Sequence, residues 1–299
     1  MTDKPVFLCV NPTAGRGRAG QRLPHIKALF DAAGVPVQVI TSTGVGDMED
    51  QVALQVTNGV RHIIVVGGDG SVHEAVNGLQ RAGGHAILSL IPSGTGNDFA
   101  KASGIALDWQ NAATSLVHRL HNGDATRTID IGRMNDRYFA NGVGIGFDAR
   151  VTRVARSIRW PIGDLVYLVA LLRCLRSGVA TPELEIRSDE VLFNGPATLA
   201  TVCNGAWVGG LFHIAPTADN ADGHLDLLIA APVTRLRILQ LLPKLMRGAH
   251  LQEPEVTHDR VSSLEIVASA PVESHVDGEV QPPQQHFEFQ LLPGGLELL

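Results

Sequence analysis

The chain has 299 residues, of which 44% are hydrophobic and 18% are charged, enough apolar material for one large domain or two of ordinary size. This composition excludes a disordered chain and a collagen-like repeat, and 24 Lys and Arg against 30 Asp and Glu residues, a net charge of −6, argue against nucleic acid as a partner. No apolar run reaches the ~20 residues of a membrane-spanning helix, so we expect a cytoplasmic protein that is dissolved or attached peripherally at the inner membrane face.

The first 120 residues alternate between short apolar runs and segments with helical spacing. The runs typical of strands are Val6–Val10, Val35–Ile40, His62–Val66 and Ala86–Ile91, and the helical segments are Gln21–Ala33, Met48–Val56, Val72–Leu79 and Asn97–Ala102. This alternation predicts an α/β domain whose parallel sheet carries helices on both faces. Ligands of such sheets bind beyond the carboxyl ends of the strands.

The pattern changes after about Asp124. Strand-like runs with short connections follow at Thr126–Met134, Arg137–Val143, Leu184–Arg187, Val191–Phe193, Thr198–Cys203, Leu225–Ala230, Leu264–Ala268 and Phe287–Leu292, with helical stretches at Val151–Leu175 and Arg235–Met246. We predict a second, mainly antiparallel β-sandwich-like domain. The boundary is placed near Ile129, between a domain of residues 1–129 and one of residues 130–299.

Three cysteines, Cys9, Cys174 and Cys203, lie far apart in the chain. They form no Cys-x-x-Cys pair, the spacing typical of zinc sites and redox-active disulfides. We therefore predict that all three are small core residues.

A glycine-rich turn, Asn11–Gly20, follows the first strand and contains a G-x-G-x-x-G pattern. In a dinucleotide-binding fold this pattern is accompanied by an acidic residue near the end of the second strand, but that strand ends in Thr41-Ser42-Thr43. Arg16 and Arg18, beside backbone N–H groups at a predicted helix start, favour a polyphosphate instead. A solvated glycine turn explains this segment alone equally well.

The third strand ends in a turn that surrounds one carboxylate with glycines, Gly67-Gly68-Asp69-Gly70, before a helix. The glycines can expose backbone N–H groups to a phosphate, but Asp69 would repel that phosphate unless a divalent cation lay between them. We therefore predict Mg²⁺ at Asp69. The alternative, in which Asp69 only caps the helix, leaves the glycines unexplained.

The turn after the fourth strand, Gly94-Thr95-Gly96-Asn97-Asp98, again combines glycines and a hydroxyl with a carboxylate. Because neighbouring parallel strands end at the same edge of a sheet, we expect this turn and the preceding one to lie side by side. Neither turn is a P-loop, since no Gly-Lys-Ser/Thr sequence follows. Phosphate charge must therefore be balanced by arginines, by Lys101 and by a metal ion.

Far downstream, Asp277-Gly278-Glu279 places two carboxylates on either side of a glycine. If a strand continued through this segment, alternation would put Asp277 and Glu279 on one face. Such a pair could supply a general base for a hydroxyl nucleophile. An acidic hairpin turn is the other interpretation of the segment.

Seven glycine- and acid-rich motifs follow one another along nearly the whole chain: Asn11–Gly15, Gly67–Ser71, Gly94–Phe99, Asp130–Gly132, Gly144–Ala149, Asp222–Asp226 and Asp277–Glu279. In combination and order they resemble the diacylglycerol kinase-type lipid kinases, particularly the soluble bacterial members, which are related to the sphingosine kinases. Gly-Gly-Asp-Gly also occurs in NAD kinases and phosphofructokinases, but the later motifs distinguish this chain from both.

The resemblance implies a nucleotide-binding first domain and a lipid-binding second domain that transfer phosphate from ATP to a lipid hydroxyl with the help of Mg²⁺. By motif position it implies nucleotide contacts at Asn11, Pro12, Thr13, Ala14, Gly15, Arg16, Thr43 or Thr41, Gly67, Gly68, Asp69, Gly70, Ser71, Val72, His73, Glu74 and Thr95. It also implies that Asp69, Asp98 and Asp130 organise catalytic Mg²⁺. Glu279 would be the base that receives the proton of the lipid hydroxyl.

A second, structural Mg²⁺ site is also implied by the resemblance. It would lie at Asp222, with backbone oxygens near Asp219 and His224. The chain departs from the family's common residues at Ser71, where Thr is usual, and at His73, where Asn is frequent. These two departures leave the details of the phosphate and base contacts open.

Four arginines recur at three-residue spacing, Arg150, Arg153, Arg156 and Arg159. Trp160 and the apolar segment Leu165–Leu172 follow them, so a basic helical face could dock on anionic lipid headgroups. A solvated helix followed by a core helix explains the pattern equally well, because a three-residue spacing drifts around a helix.

Diacylglycerol is the substrate that we expect, and a sphingoid base, phosphatidylglycerol or NAD is the alternative. A catalytically silent nucleotide- or lipid-binding regulator is the non-enzymatic alternative, against which Asp69, Asp98 and Glu279 argue. The sequence leaves open whether the protein is a monomer or a homodimer.

Overall fold

The computed structural model describes residues 6–158, 163 and 165–299. The chain divides into two compact units. The first unit extends to Asp130 and also includes Pro293–Leu299, and the second unit is Ile131–Leu292.

The first unit alternates strands and helices. Its elements are β1 (Val6–Val10), α1 (Arg18–Ala32), β2 (Val37–Thr41), α2 (Asp47–Thr57), β3 (His62–Gly67), α3 (Asp69–Arg81), β4 (Ile87–Pro92), α4 (Asp98–Ala102) and α5 (Trp109–Asn122). The strands lie in the order β4–β3–β1–β2, and each neighbouring pair is parallel. The predicted parallel α/β sheet is confirmed, whereas α5 was not among the predicted helices.

Buried strands form the core of the first unit. All five residues of β1 and the last five residues of β3 are buried. On one face of the sheet, Leu8 and Ile64 belong to an apolar cluster with Phe30 of α1 and Leu116 of α5. Helix α3 also contacts β3. Strands buried on both faces are continuous apolar runs rather than alternating ones, which is why the sequence predicted them well.

The last residues of the chain join this first sheet. The long strand β14 (Glu279–Leu298) ends beside β4, and Glu297 and Leu298 pair in parallel with Ile87 and Leu88. Residues 293–299 thus belong to the first unit, whereas the sequence places them with the second domain. The side-chain pattern of a strand does not indicate which sheet its backbone joins.

The second unit is mainly antiparallel. Besides the first part of β14 and the end of β5 (Arg127–Met134), its elements are β6 (Arg137–Phe139), β7 (Gly142–Gly146), α6 (Phe147–Ser157), α7 (Leu165–Ser177), β8 (Glu183–Arg187), β9 (Val191–Pro196), β10 (Leu199–Cys203), β11 (Leu225–Ala230), α8 (Arg235–Met246), β12 (Val256–Val261) and β13 (Ser263–Val276). Its strands run β12–β11–β10–β7–β13–β14, with the β8–β9 hairpin beside β13. The predicted β-sandwich-like class is confirmed.

Two predicted elements of this unit differ from the observed ones. The single helical stretch over residues 151–175 is two helices, because α6 ends at Ser157 and Ile158 has an extended backbone with φ −86° and ψ 114°. Strand β12 was not predicted, since its polar sequence Val256–Val261 lacks a continuous apolar run. Within the described residues, no helix is long and apolar enough to cross a bilayer.

Cys9, Cys174 and Cys203 are all buried and free, which confirms their prediction as core residues. Burial raises the pKa of the Cys9 thiol to about 12 and also raises the pKa of Cys203. These two thiols therefore stay protonated and unreactive at neutral pH.

His62 couples the stability of the first unit to pH. Its Nε2 lies 2.8 Å from the Oγ of Ser89 on the adjacent strand, and burial lowers its pKa from 6.5 to about 4. Between these two pH values the unfolded chain binds more protons than the folded chain. The contribution of a neutral His62 is therefore present above pH 6.5 and is lost as the pH falls toward 4.

We expect the free energy of unfolding to be about 2 kcal/mol lower at pH 5 than at pH 7 because of this residue alone. His62→Gln keeps a hydrogen-bonding group for Ser89 but does not titrate, so the difference between the two pH values should shrink by that amount. Urea unfolding of both proteins at pH 5 and pH 7 measures it. An equal pH dependence in the two proteins would contradict the assignment.

Candidate active site

Three turns of the first unit lie against one another at the carboxyl ends of β1, β3 and β4. Asn11 Nδ2 donates to Ser71 Oγ at 3.2 Å, which joins the first turn to the start of α3. Arg18 donates to the carbonyl oxygens of Gly15 at 2.9 Å and of Gly94 at 3.1 Å. Arg18, expected to face a polyphosphate, thus joins the first turn to the turn after β4.

The two turns that carry Asp69 and Asp98 touch through their glycines. A Cβ atom on Gly68 would lie 2.7 Å from the Cα of Gly94, and one on Gly94 would lie 2.5 Å from the Cα of Gly68. Real Cβ contacts are not this short, so neither position accepts a side chain while the backbones stay in place. The predicted side-by-side arrangement is therefore observed, and it requires glycine at both positions.

Two helices begin at these turns. Helix α3 starts at Asp69 after Gly68, and helix α4 starts at Asp98 after Asn97; neither residue before the helix caps it with its side chain. The first N–H groups of a helix lack partners within the helix and carry partial positive charge, so helix starts favour anions. This edge of the sheet therefore has the chemistry of a phosphate site.

The carboxylate of Asp69 binds the neighbouring helix. Its Oδ1 accepts the backbone N–H of Phe99, in the first turn of α4, at 3.0 Å. The alternative in which Asp69 only caps its own helix is therefore wrong, because its acceptor serves α4. Asp69 stands between the two helix starts.

The two other predicted Mg²⁺ carboxylates are buried. Asp98 is 6% exposed and lies 3.4 Å from the Nζ of Lys101. Asp130 is 4% exposed and accepts the backbone N–H of Gly294 at 2.7 Å. Gly294 belongs to the last segment of the chain, so this segment helps to hold Asp130 in the first unit.

Two of the predicted nucleotide contacts, Glu74 and Thr43, bind the start of α2 in this structure. Both carboxylate oxygens of Glu74 accept backbone N–H groups at the start of α2, from Gly46 at 3.0 Å and from Met48 at 3.1 Å. Thr43 donates its N–H and hydroxyl to Asp47, and the backbone hydrogen bond is the main reason that the pKa of Asp47 is lowered. Glu74 and Thr43 therefore orient the start of α2.

The side chains of Val72 and His73 are each 2% exposed. They lie on the buried part of α3. Ser71 is buried too, but its hydroxyl reaches Asn11 in the adjacent turn. Thr13, Arg16 and Thr95 remain exposed at the edges of their turns.

In the second unit, Asp277 and Gly278 form the two-residue turn between β13 and β14. Their φ angles are 48° and 83°, as a tight hairpin turn with two left-handed residues requires. The Asp277 carboxylate turns back and accepts the N–H groups of Ala140 at 2.9 Å, Asn141 at 2.9 Å and Gly142 at 2.8 Å. The expectation that Asp277 and Glu279 share one strand face is wrong, because Asp277 lies in the turn.

Glu279 begins β14, and its carboxylate pairs with the guanidinium of Arg156 on α6. Arg156 also donates to the carbonyl oxygen of Gly278 at 3.0 Å. The Glu279 side chain is partly exposed. Arg156 was not among the predicted site residues, since only the folded chain brings α6 to this hairpin.

The arginine stripe is engaged within the second unit. Arg153 pairs with Glu273 at 3.1 Å, and Arg150 donates to the carbonyl oxygen of Gly178 at 3.0 Å. With Arg156 paired to Glu279, all three described arginines contact partners of their own chain, which weakens the predicted docking on anionic headgroups. Arg159 and Trp160 lie outside the described residues.

The predicted structural metal site contains a salt bridge. Asp222 pairs with Arg260 and accepts the backbone N–H of His224 at 3.0 Å, and Asp219 accepts the N–H of Ala221 at 3.1 Å. Over the described part of the chain, no group of three or more His, Cys, Asp or Glu side chains could hold a metal ion.

Both units match models of known families. Residues 5–134 match the diacylglycerol kinase catalytic domain, and residues 141–299 match the YegS C-terminal NAD kinase beta sandwich-like domain. A diacylglycerol kinase of Mycobacterium tuberculosis (strain CDC 1551 / Oshkosh) is 31% identical, with 98% of this chain and 94% of the relative covered. One of Bacillus subtilis (strain 168) is also 31% identical, with 92% and 90% covered. The chain belongs to the diacylglycerol kinase family of lipid kinases.

Solved structures agree with this family assignment. A crystal structure of a Bacillus anthracis str. Sterne protein covers 100% of this chain and 97% of its own, with a TM-score of 0.79 and 26% identity. A second one, of a diacylglycerol kinase from the same strain, has a TM-score of 0.76 at 24% identity and the same coverage, and it supports the fold.

The second unit contains an apolar cavity, a feature that could receive part of a lipid. It has a volume of about 110 Å³ and lies between helices α7 and α8 and strands β10 and β11, where it is lined by residues including Leu171, Leu199, Leu228, Leu242 and Leu245. The sequence did not reveal this cavity, because its lining consists mainly of ordinary apolar residues such as Leu, Ile and Val. The one signal in the sequence was the apolar spacing on α8.

Proposed function

We propose that the protein transfers the γ-phosphate of ATP, in the presence of Mg²⁺, to the hydroxyl group of diacylglycerol. The observation that carries this proposal is the contact of the Gly68 and Gly94 turns beside the starts of helices α3 and α4. This arrangement supports the binding of a polyphosphate in the first unit. The chain's membership of a lipid kinase family supports a lipid as the acceptor.

In the first unit, we assign the phosphate contacts to three turns, Asn11–Arg16, Gly67–Ser71 and Gly94–Thr95. Phosphoryl transfer passes through a loose transition state, in which catalysis consists largely of alignment and charge neutralisation. Backbone donors held rigidly by neighbouring glycines serve both purposes. Arg16, exposed on the first turn, adds a positive charge.

The oxygen donors of the first unit fit Mg²⁺. This ion prefers carboxylate oxygen and keeps several waters, and proteins commonly hold it with one or two carboxylates together with substrate phosphates. Asp69, which lies between two helix starts, is the direct ligand that we propose. Asp98 and Asp130 would act on the ion from buried positions, and Mg²⁺ would neutralise charge on the phosphates.

Glu279 of the second unit is the base that we propose for the lipid hydroxyl. A general base must be held where it can reach the proton that it accepts. The guanidinium of Arg156 holds the Glu279 carboxylate beside the hairpin turn. The partial exposure of Glu279 allows a substrate hydroxyl to reach it.

The apolar cavity of the second unit supports an acyl chain as part of the substrate. Its volume of about 110 Å³ is below the roughly 300–1,000 Å³ of common ligand sites, so it would accept one end of a chain rather than a whole lipid. For Asp219, Asp222 and His224 we keep the proposal of a structural Mg²⁺ site. It requires Arg260 to leave Asp222.

Glu279→Gln should lower kcat for the preferred lipid by about 10²- to 10⁴-fold, because Gln cannot accept the proton. ATP binding should be unchanged, since the proposed nucleotide contacts lie in the first unit. Glu273→Gln is the matched control, because Glu273 forms the equivalent pair with Arg153 of the same helix. Steady-state kinetics and ATP titration measure both variants, and a near-normal kcat for Glu279→Gln would exclude the base role.

Asp69→Asn keeps an oxygen for the Phe99 N–H group but loses the charge. The Mg²⁺ concentration for half-maximal activity should rise by at least about 10- to 100-fold, which is the typical loss when only an outer group that supports a metal ligand is removed. Asp108→Asn is the control, because Asp108 also accepts a backbone N–H at a helix start, that of α5. An unchanged Mg²⁺ dependence of the Asp69 variant would remove Asp69 from the metal site.

The substrate is tested by incubating the protein and radiolabelled ATP with one acceptor at a time, with and without Mg²⁺. Diacylglycerol should be phosphorylated at least about tenfold faster than sphingosine, phosphatidylglycerol or NAD, a margin that corresponds to roughly 1.4 kcal/mol of transition-state binding. Faster turnover of another acceptor would replace diacylglycerol. Sedimentation with anionic vesicles tests separately whether the protein attaches peripherally to a membrane.

A further inference from the structure

An aspartate and a histidine of the second unit form a pair directly beneath the hairpin that carries Glu279. Asp148 lies in the first turn of α6, and its Oδ2 is 3.0 Å from the Nε2 of His275 on β13. The His275 side chain is 3% exposed and that of Asp148 is 18% exposed. The pair is therefore largely shielded from water.

The other ring nitrogen of His275 identifies its tautomer. The backbone N–H of Gly278 donates to His275 Nδ1 at 3.2 Å. A backbone amide can only donate, so Nδ1 must be an unprotonated acceptor. The proton then sits on Nε2 and is donated to the Asp148 carboxylate, which keeps the ring in this tautomer and orientation.

The backbone of β7 leaves space for this pair. Gly144 lies opposite His275 in the pairing of β7 with β13. A Cβ atom on Gly144 would be 2.1 Å from Asp148 Oδ2 and 2.5 Å from His275 Nε2. Any side chain at Gly144 would thus displace the hydrogen bond between Asp148 and His275, so three separate elements contribute to the same arrangement.

The hydrogen bonds of this pair extend to Gly278, the residue before Glu279. Gly278 donates its N–H to His275 and accepts Arg156 Nη1 at its carbonyl oxygen, at 3.0 Å. Asp277 is held by three N–H groups of residues 140–142. The peptide groups on both sides of Gly278 are therefore held by other parts of the unit, and Gly278 sets the direction in which Glu279 leaves the turn.

We propose that Asp148 and His275 are positioning residues for Glu279, a role that depends on the proposed function of Glu279 as the base. His275 holds the Gly278 amide, and Asp148 holds the tautomer that lets it do so. Neither side chain receives the substrate proton. They fix the position of the Glu279 carboxylate. A displacement of about 1 Å at a reacting group can lower the rate about 10²-fold.

Two substitutions of His275 separate its two hydrogen bonds. In His275→Asn, the amide oxygen is as many bonds from Cα as Nδ1 is, so it can still accept the Gly278 N–H. In His275→Gln, the amide group reaches toward Asp148 and leaves Gly278 without its acceptor. We expect kcat to fall about 10- to 100-fold in His275→Gln and less than about threefold in His275→Asn, with the KM for ATP unchanged in both.

A substitution at Asp148 tests the same proposal if His275→Gln does not fold. Asp148→Asn can donate to Nε2 and so favours the opposite tautomer, and we expect kcat to fall about tenfold or more. His258→Gln is the matched control, because His258 pairs with Asp226 at 2.7 Å in the same unit but does not contact the hairpin turn. Rates are normalised to the number of ATP-binding sites, and the melting temperature of each variant is measured.

The outcomes distinguish positioning from a merely structural role. Equal losses of kcat in His275→Asn and His275→Gln, or losses that follow the melting temperature and also occur in His258→Gln, would overturn the proposal. A normal kcat in both His275→Gln and Asp148→Asn would overturn it as well. If Glu279→Gln is inactive while these variants are normal, the base assignment stands without the positioning pair. If Glu279→Gln itself is active, the base assignment is wrong, and the positioning proposal that depends on it is wrong as well.

Discussion

The contact between the backbones of Gly68 and Gly94 is the constraint on which the first unit depends. The backbone N–H groups of two turns can face one polyphosphate only if the two turns lie close together. The two Cα atoms approach so closely that even a methyl group on either residue would lie within 2.7 Å of the other chain segment. Because both turns then lead into helices, the proposed phosphate site lies beside two helix starts, which favour anions. Asp69, bound to the Phe99 amide, lies among these donors.

The second unit holds one acidic side chain, that of Glu279, in a defined direction without burying it. The two-residue turn of Asp277 and Gly278 is bound through its side chain, its amide and its carbonyl by residues of β7, β13 and α6. Glu279 follows this turn and meets Arg156. A rigid backbone beside a partly exposed carboxylate combines orientation with access for a substrate. The apolar cavity under α8 belongs to the same unit, and its lining has the apolar character that an acyl chain requires.

Much of this could be predicted from the sequence because it depends on local chemistry. The strands of the first unit are recognisable since burial on both faces makes them continuous apolar runs. The glycine turns are recognisable because glycines around a carboxylate, directly after such a run, are typical of turns that approach a ligand closely. The contacts that the sequence did not reveal join residues that lie far apart in the chain. Asp277 binds amides more than 130 residues earlier, and Arg153 and Arg156 neutralise acids of the β13–β14 hairpin.

The sequence by itself determined the fold class of both parts, the family resemblance and the positions of Asp69, Asp98 and Glu279 in their motifs, because composition, period and glycine placement are written in short segments. The tertiary structure alone decided which carboxylates are already bound to amides or arginines, which glycines touch, and which sheet residues 293–299 join. It also brought Asp148 and His275 together beneath the turn of Glu279. The physical reason is that hydrogen bonds and ion pairs depend on distances between atoms, and for residues remote in sequence these distances exist only once the chain has packed.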